Sequence, residues 1–229
     1  MPAVTTPSRR RTALRLAVAA ALSGALVATG APSAGAAPVA SDASRPAALS
    51  PVAHHRAAPR TVPASALLQP ADLGGAGTTA VTDDYWAALQ PPQPCGPYPS
   101  ARLRRADRAV QAMIGVDDRP TVVVNDVAIY AADGAHRYLR QLRRAVAGCG
   151  PGWAVLATGV AGDESVLLRH REHIDYADTD KDTYVVVART GRALVVVADT
   201  GWETADGHEA VVRDLAPVAV GRAAVVSGG

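Results

Sequence analysis

Residues Tyr184–Asp199, YVVVARTGRALVVVAD, decide the fold. Two β-branched runs flank Thr190-Gly191, and runs of this composition around a glycine-bearing turn read as an antiparallel hairpin. The strands are expected over Thr183–Ala188 and Ala193–Ala198. Upstream, Trp153–Val160 and Glu164 to about Glu172 read as two more strands separated by Ala161-Gly162-Asp163. Thr121–Tyr130, TVVVNDVAIY, is another β-branched run. Ala101–Ile114 fits both periodicities, and the turn residues Asp117-Asp118-Arg119-Pro120 favour a strand that folds back on the next one. Between these strands, Asp133–Cys149 carries an apolar stripe of Ala135, Tyr138, Leu139, Leu142, Ala145 and Val146, which predicts a helix capped by Asp133. Its arginines, 137, 140, 143 and 144, are expected on the solvated side. Asp206 to about Val226 predicts a closing helix, with Val211, Val212, Leu215, Val218 and Ala219 inward and a kink or restart at Pro217. Pro63–Leu73 is a short helix or helical turn stopped by Gly74-Gly75. The expected class is α+β: an antiparallel sheet with one inserted and one C-terminal helix, in a single domain stapled by a disulfide.

The ends of the chain have another character. Arg9, Arg10, Arg11 and Arg15 precede the apolar run Leu16–Ala28, and Ala34-Gly35-Ala36 offers the small residues of a signal-peptidase site. Residues 1–36 are therefore expected to be a signal peptide, 37–62 an Ala/Pro-rich linker, and 63–226 the folded domain. The apolar run falls short of the ~20 residues a membrane span needs. Whole, the chain has 23 basic and 21 acidic side chains; without the signal the balance is 19 to 21, a net charge of −2. A mildly acidic product with no basic patch interleaved with aromatics excludes nucleic acid as the expected partner. Its two cysteines, Cys95 and Cys149, are expected to pair after export. That bridge would close a loop of 55 residues, worth about 4 kcal/mol in the chain-entropy treatment.

Three stretches carry residues of catalytic or metal-binding type. AGDESVLLRHREHIDY, Ala161–Tyr176, holds Ser165, His170 and His173. On an extended strand Ser165 and His170 face opposite ways, while Ser165 and His173 lie roughly 26 Å apart at the rise of a strand. A nucleophile and its base need hydrogen-bond reach, so this strand alone builds no triad; His208 is the one histidine that folding could bring to Ser165. Asp178, Asp180 and Asp182 have the spacing of the first calcium-loop ligands. Thr183 and Arg189, however, stand where such a loop requires Gly and a bidentate Glu. An acidic, solvated hairpin loop is the expected reading. His54-His55 has no further ligands nearby. No metal site, cofactor site or catalytic group is expected.

Four features in order, ALLQPADLG, VAIYAADGAHRYLRQLRRAVAGC, GDESV and VVVARTGRALVVV, resemble the PknH-like extracellular sensor domain family of actinobacteria. The likeness spans about Ala64–Val226. It implies an antiparallel sheet with two helices, a helix end fastened by a disulfide, and a cleft for an extracellular ligand, with no catalytic residues to carry over. The expected function is therefore a secreted, non-enzymatic domain that binds an extracellular small molecule or cell-wall fragment. Trp86, Tyr130, Arg169, Arg171 and Arg189 are the candidate cleft residues, because aromatic and guanidinium groups recognise sugars, carboxylates and phosphates. The rivals are a secreted hydrolase whose site is assembled only on folding, and a protein-interaction module built on the arginine-bearing helix.

Overall fold

A computed structural model describes residues 60–82, 86–148 and 152–227. The signal segment, the linker up to residue 59, and Cys149 lie outside the described residues. The disulfide expected between Cys95 and Cys149 accordingly stays an expectation.

The α+β class is borne out. Seven strands form one antiparallel sheet: β1 (Thr79–Ala80), β2 (Arg104–Val116), β3 (Arg119–Tyr130), β4 (Trp153–Thr158), β5 (Glu164–Ile174), β6 (Thr179–Thr190) and β7 (Ala193–Asp199). Helix α1 (Gly134–Gly148) is inserted after β3, and α2 (Glu209–Ser227) closes the fold. The strand order is β1-β2-β3-β7-β6-β5-β4. The deciding hairpin thus lies at the centre, β7 pairing with β6 on one side and β3 on the other. All seven residues of β7 are buried, because α1 covers one face of the sheet and α2 the other. A strand covered on both faces gains from apolar side chains at every position, hence ALVVVAD without alternation.

Alternate residues feed two separate cores. On one face Val124, Ala128, Val166, Leu168, Val185, Val187, Leu194 and Val196 pack under Tyr138, Leu139, Leu142 and Val146 of α1. On the other, Val123, Val127, Leu167, Val186, Val195 and Val197 meet Val212, Ala216, Ala219, Ala223 and Val226 of α2. The inward stripe of α2 is thus mainly alanine, which lets the helix lie close to the strands. Ala219 and Val212 face inward as expected; Val218 does not, and is 40% exposed. The helix also runs through Pro217 without ending. Pro217 is on the exposed side, where water can satisfy the carbonyl that its missing N–H leaves free.

The β2–β3 hairpin forms as expected, and its turn is tighter. Val116 pairs with Arg119, leaving Asp117 and Asp118 as a two-residue loop with φ of 50° and 64°. Aspartate tolerates this left-handed geometry, and such a loop matches the twist of the strands it joins. The acidic stretch after β5 departs further from expectation. Asp178 stays in an exposed turn as expected, but Asp180–Asp182 belongs to β6, and β5 runs on to Ile174. Opposite charges explain the extension: Arg171 faces Asp182, Glu172 faces Lys181, and His173 faces Asp180 across the ladder. Arg171 grips Asp182 with two bonds of 2.8 and 2.7 Å. This takes Asp182 away from any calcium-loop role.

Candidate ligand-binding cleft

Beyond the helix-covered part of the α1 face, the sheet carries Gln111 and Met113 of β2, Val122 of β3, Glu172 and Ile174 of β5, and Lys181 of β6. Their common side follows from the register, which sets Met113 against Val122 and Glu172 against Lys181. Two loops rise around these residues. One enters at Trp86 on the way to β2, and the other follows β7 and carries Trp202 and Glu203. Together they make a cleft of two lobes that share Trp86, Val122 and Trp202.

The first lobe, of about 470 Å³, is lined by Gly77, Thr79, Gln111, Ala112 and Met113 in addition to the shared residues. Among the described residues it carries no charged side chain. The oxygen of its one side-chain amide is engaged, since Trp86 Nε1 donates to Gln111 Oε1 at 2.6 Å. The second lobe, of about 540 Å³, adds Glu172, Ile174, Tyr176, Lys181, Gly201 and Glu203. Its charged groups are of opposite kinds: carboxylates that only accept hydrogen bonds, and an ammonium that only donates. Lys181 is the chain's single lysine among 23 basic residues. It is 8% exposed, and its Nζ donates to the Glu203 carbonyl at 2.8 Å. Burial lowers its pKa, opposed by the charges of Glu172, Asp199 and Asp206.

Three aromatic rings, Trp86, Trp202 and Tyr176, stand in the walls and rim. Trp202 is 39% and Tyr176 80% exposed, in a chain without phenylalanine. Trp153 stands on the same face, stacked on His170 with ring centroids 4.3 Å apart. Burial lowers the pKa of that histidine.

The Trp202 loop is held by one buried carboxylate. Asp199, at the end of β7, accepts from the Thr121 hydroxyl, from Gly201 N at 2.9 Å, from His208 N at 3.0 Å, and contacts His208 Nδ1 at 3.1 Å. The loop is also tied to neighbouring strands: Thr200 N donates to Val122 O at 3.0 Å, and Gly207 N to Asp182 O at 2.8 Å. Gly201 has φ of 67°, and a Cβ there would lie 2.0 Å from Ala205 O. No other residue fits that position. His208 therefore spends its oriented nitrogen on loop anchoring, at the opposite end of the strands from Ser165.

Ser165 is fully buried, and its hydroxyl accepts from Ala161 N at 2.9 Å, closing the turn into β5. The nearby His136 contacts Glu164 Oε1 at 2.6 Å. Of the five candidate cleft residues, Trp86 lines the cleft. Tyr130 is sealed in the α1-side core, 5.8 Å centroid to centroid from Tyr138. Arg169 and Arg171 project on the α2 side, both toward Asp182. Arg189 sits at the far end of the sheet, bound to Glu164 at 2.9 Å and Asp163 at 3.0 Å. Trp202, Lys181 and Glu172 escaped the sequence reading. The usable signals were a Trp in a glycine-flanked turn and a lone Lys among arginines.

A second polar feature lies deeper on the α1 face. Asp126 of β3 is fully buried, and neither carboxyl oxygen has a hydrogen-bond partner among the described residues. Desolvation pushes its pKa up to about 8, with a further rise from Asp107 and a partial offset from Arg104. The acid is therefore neutral in the fold at pH 7.

Comparisons with family models, with curated proteins and with solved structures return no match for this chain. Among the described residues no helix is long and apolar enough to cross a membrane.

Proposed function

We propose that this chain is an exported, non-enzymatic domain that holds an extracellular small molecule or cell-wall fragment in the two-lobed cleft. The observation that carries the reading is the pair of tryptophans shared by both lobes, one of them on a loop over-determined by Asp199 and two glycines. Large rigid rings lose little conformational entropy when a ligand stacks on them, and a pre-formed concave site with few polar groups is the usual form of a small-molecule site. Export rests on the signal-like leader. The resemblance to PknH-like sensor domains rests on the order of the four sequence features, and it points to the same kind of activity.

The hydrolase alternative draws no support from Ser165, whose hydroxyl is committed to a turn, nor from His208, which anchors a loop. The arginine-bearing face of α1 is partly spent inside the fold, since Arg143 donates to Ser165 O at 3.3 Å.

Thermal-shift screening against cell-wall fragments and small metabolites tests the proposal, with Trp202→Ala as the matched control. A true ligand is expected to raise the Tm of the wild-type chain and to lose most of that effect in the variant. Equal shifts in both would place the binding elsewhere and overturn the reading.

A further inference from the structure

We infer that the ligand is a neutral glycoside: a hydroxyl-rich ring for the lobe of Glu172, Tyr176 and Lys181, joined to an apolar substituent for the lobe of Met113 and Val122. This inference rests on the cleft being the binding site and adds the ligand's chemistry.

The polar lobe selects against charge of either sign. An anion would meet Lys181 favourably but would face the carboxylates of Glu172 and Glu203. A cation would suit those carboxylates and the aromatic faces, but would be repelled by an ammonium set into the wall and largely stripped of water. A hydroxyl group donates and accepts at once, so a polyol can accept from Lys181 and donate to Glu172 within one ring. Trp202 and Tyr176, exposed at the rim, offer flat surfaces for the C–H face of such a ring.

The other lobe selects for the remainder of the molecule. Among the described residues its lining holds no charged side chain, and its one side-chain amide oxygen already accepts from Trp86. The Thr79 hydroxyl and the Gln111 amide N–H are its remaining side-chain partners, so a polar group placed against Met113 and Val122 would lose its hydration without a partner, at a cost of about 1–3 kcal/mol. An alkyl or aryl group would instead bury its surface against Met113, Val122 and the two indoles. Because both lobes meet at Trp86, Val122 and Trp202, one molecule with an apolar and a hydroxylated end spans them, whereas a free sugar fills half of the cleft.

The experiment titrates the full chain with n-octyl β-D-glucopyranoside below its micellar concentration, reading tryptophan fluorescence. Methyl β-D-glucopyranoside, octanol, octanoate and octyltrimethylammonium are the comparison probes. The octyl glucoside is expected to saturate the signal with at least tenfold higher affinity than any of the other four. Trp202→Ala should weaken it tenfold or more, and Met113→Asp, at a half-exposed position, should reduce it to the affinity of the methyl glucoside. The urea midpoint of each variant, read in parallel, should match that of the wild type. If octanoate or octyltrimethylammonium binds as well as the glucoside and is lost with Trp202, the cleft is a binding site and the neutral-glycoside inference is wrong. If no probe changes the fluorescence of the folded wild-type chain, the inference and the assignment of the cleft both fail.

Discussion

Replacing Asp126 by Asn is expected to alter the pH dependence of stability more than any other single change in this domain. Its carboxyl has an ordinary pKa of 3.8 in the unfolded chain and about 8 in the fold, chiefly from burial, with no hydrogen-bond donor among the described residues. Below pH 3.8 both states hold the proton and the group contributes no slope. Between 3.8 and 8 only the folded chain holds it, so stability falls as pH rises; above 8 the loss is complete. Each pH unit in that window corresponds to about 1.36 kcal/mol. From pH 5 to pH 7 the wild-type chain should therefore lose about 2.7 kcal/mol on account of this residue, against a typical total of about 5–15 kcal/mol. Asn is neutral throughout and of nearly the same shape. The groups that act on Asp126, namely Asp107 and Arg104 of β2, are present in both proteins, so their own titration largely cancels in the difference. Urea unfolding at pH 5, 6, 7 and 8 supplies the two stability curves. The variant should gain on the wild type steadily with pH. A difference that stays flat between pH 5 and 8 would mean that the carboxyl is ionised in the fold, and would refute the account of Asp126 as a buried neutral acid.

Other outcomes follow from single contacts. Gly201→Ala forces a side chain into a left-handed position against Ala205 O; it should cost about 1–3 kcal/mol and shift the Trp202 emission, and unchanged spectra and stability would contradict the loop geometry. Leu142→Ala, at a fully buried position where α1 packs on the sheet, should lower stability by about 2–5 kcal/mol in denaturant titration. Asp72 is bound by Arg222 through two nitrogens, which lowers its pKa. Asp72→Asn should therefore destabilise at pH 7, and the penalty should fade as pH falls through the lowered pKa, where the wild-type pair is itself lost. Mass spectrometry without reduction should find Cys95 joined to Cys149; a free thiol at either one would remove the expected staple.

Much of the architecture was written locally. The hairpin Tyr184–Asp199, the helix after Tyr130 and the closing helix are each set by composition and period over a dozen or so residues, and all three form where those patterns place them. Where the reading slipped, a longer-range partner was responsible. The aspartates of β6 read as loop until Arg171, Lys181 and His173 were brought opposite their charge partners, and Val218 read as core until the alanine stripe turned it outward.

The candidate site was less visible, for a physical reason. Trp86, Gln111, Val122, Glu172, Lys181 and Trp202 come from six separate segments, and no spacing within any of them marks a cleft. By itself the sequence determined that this chain forms an antiparallel sheet layered with two helices, because strand and helix periods act over neighbouring residues. Tertiary structure alone decided which face of that sheet α1 leaves open and which aromatic loops border it. Strand register and loop anchoring depend on contacts between residues dozens of positions apart, such as Thr121 with Asp199.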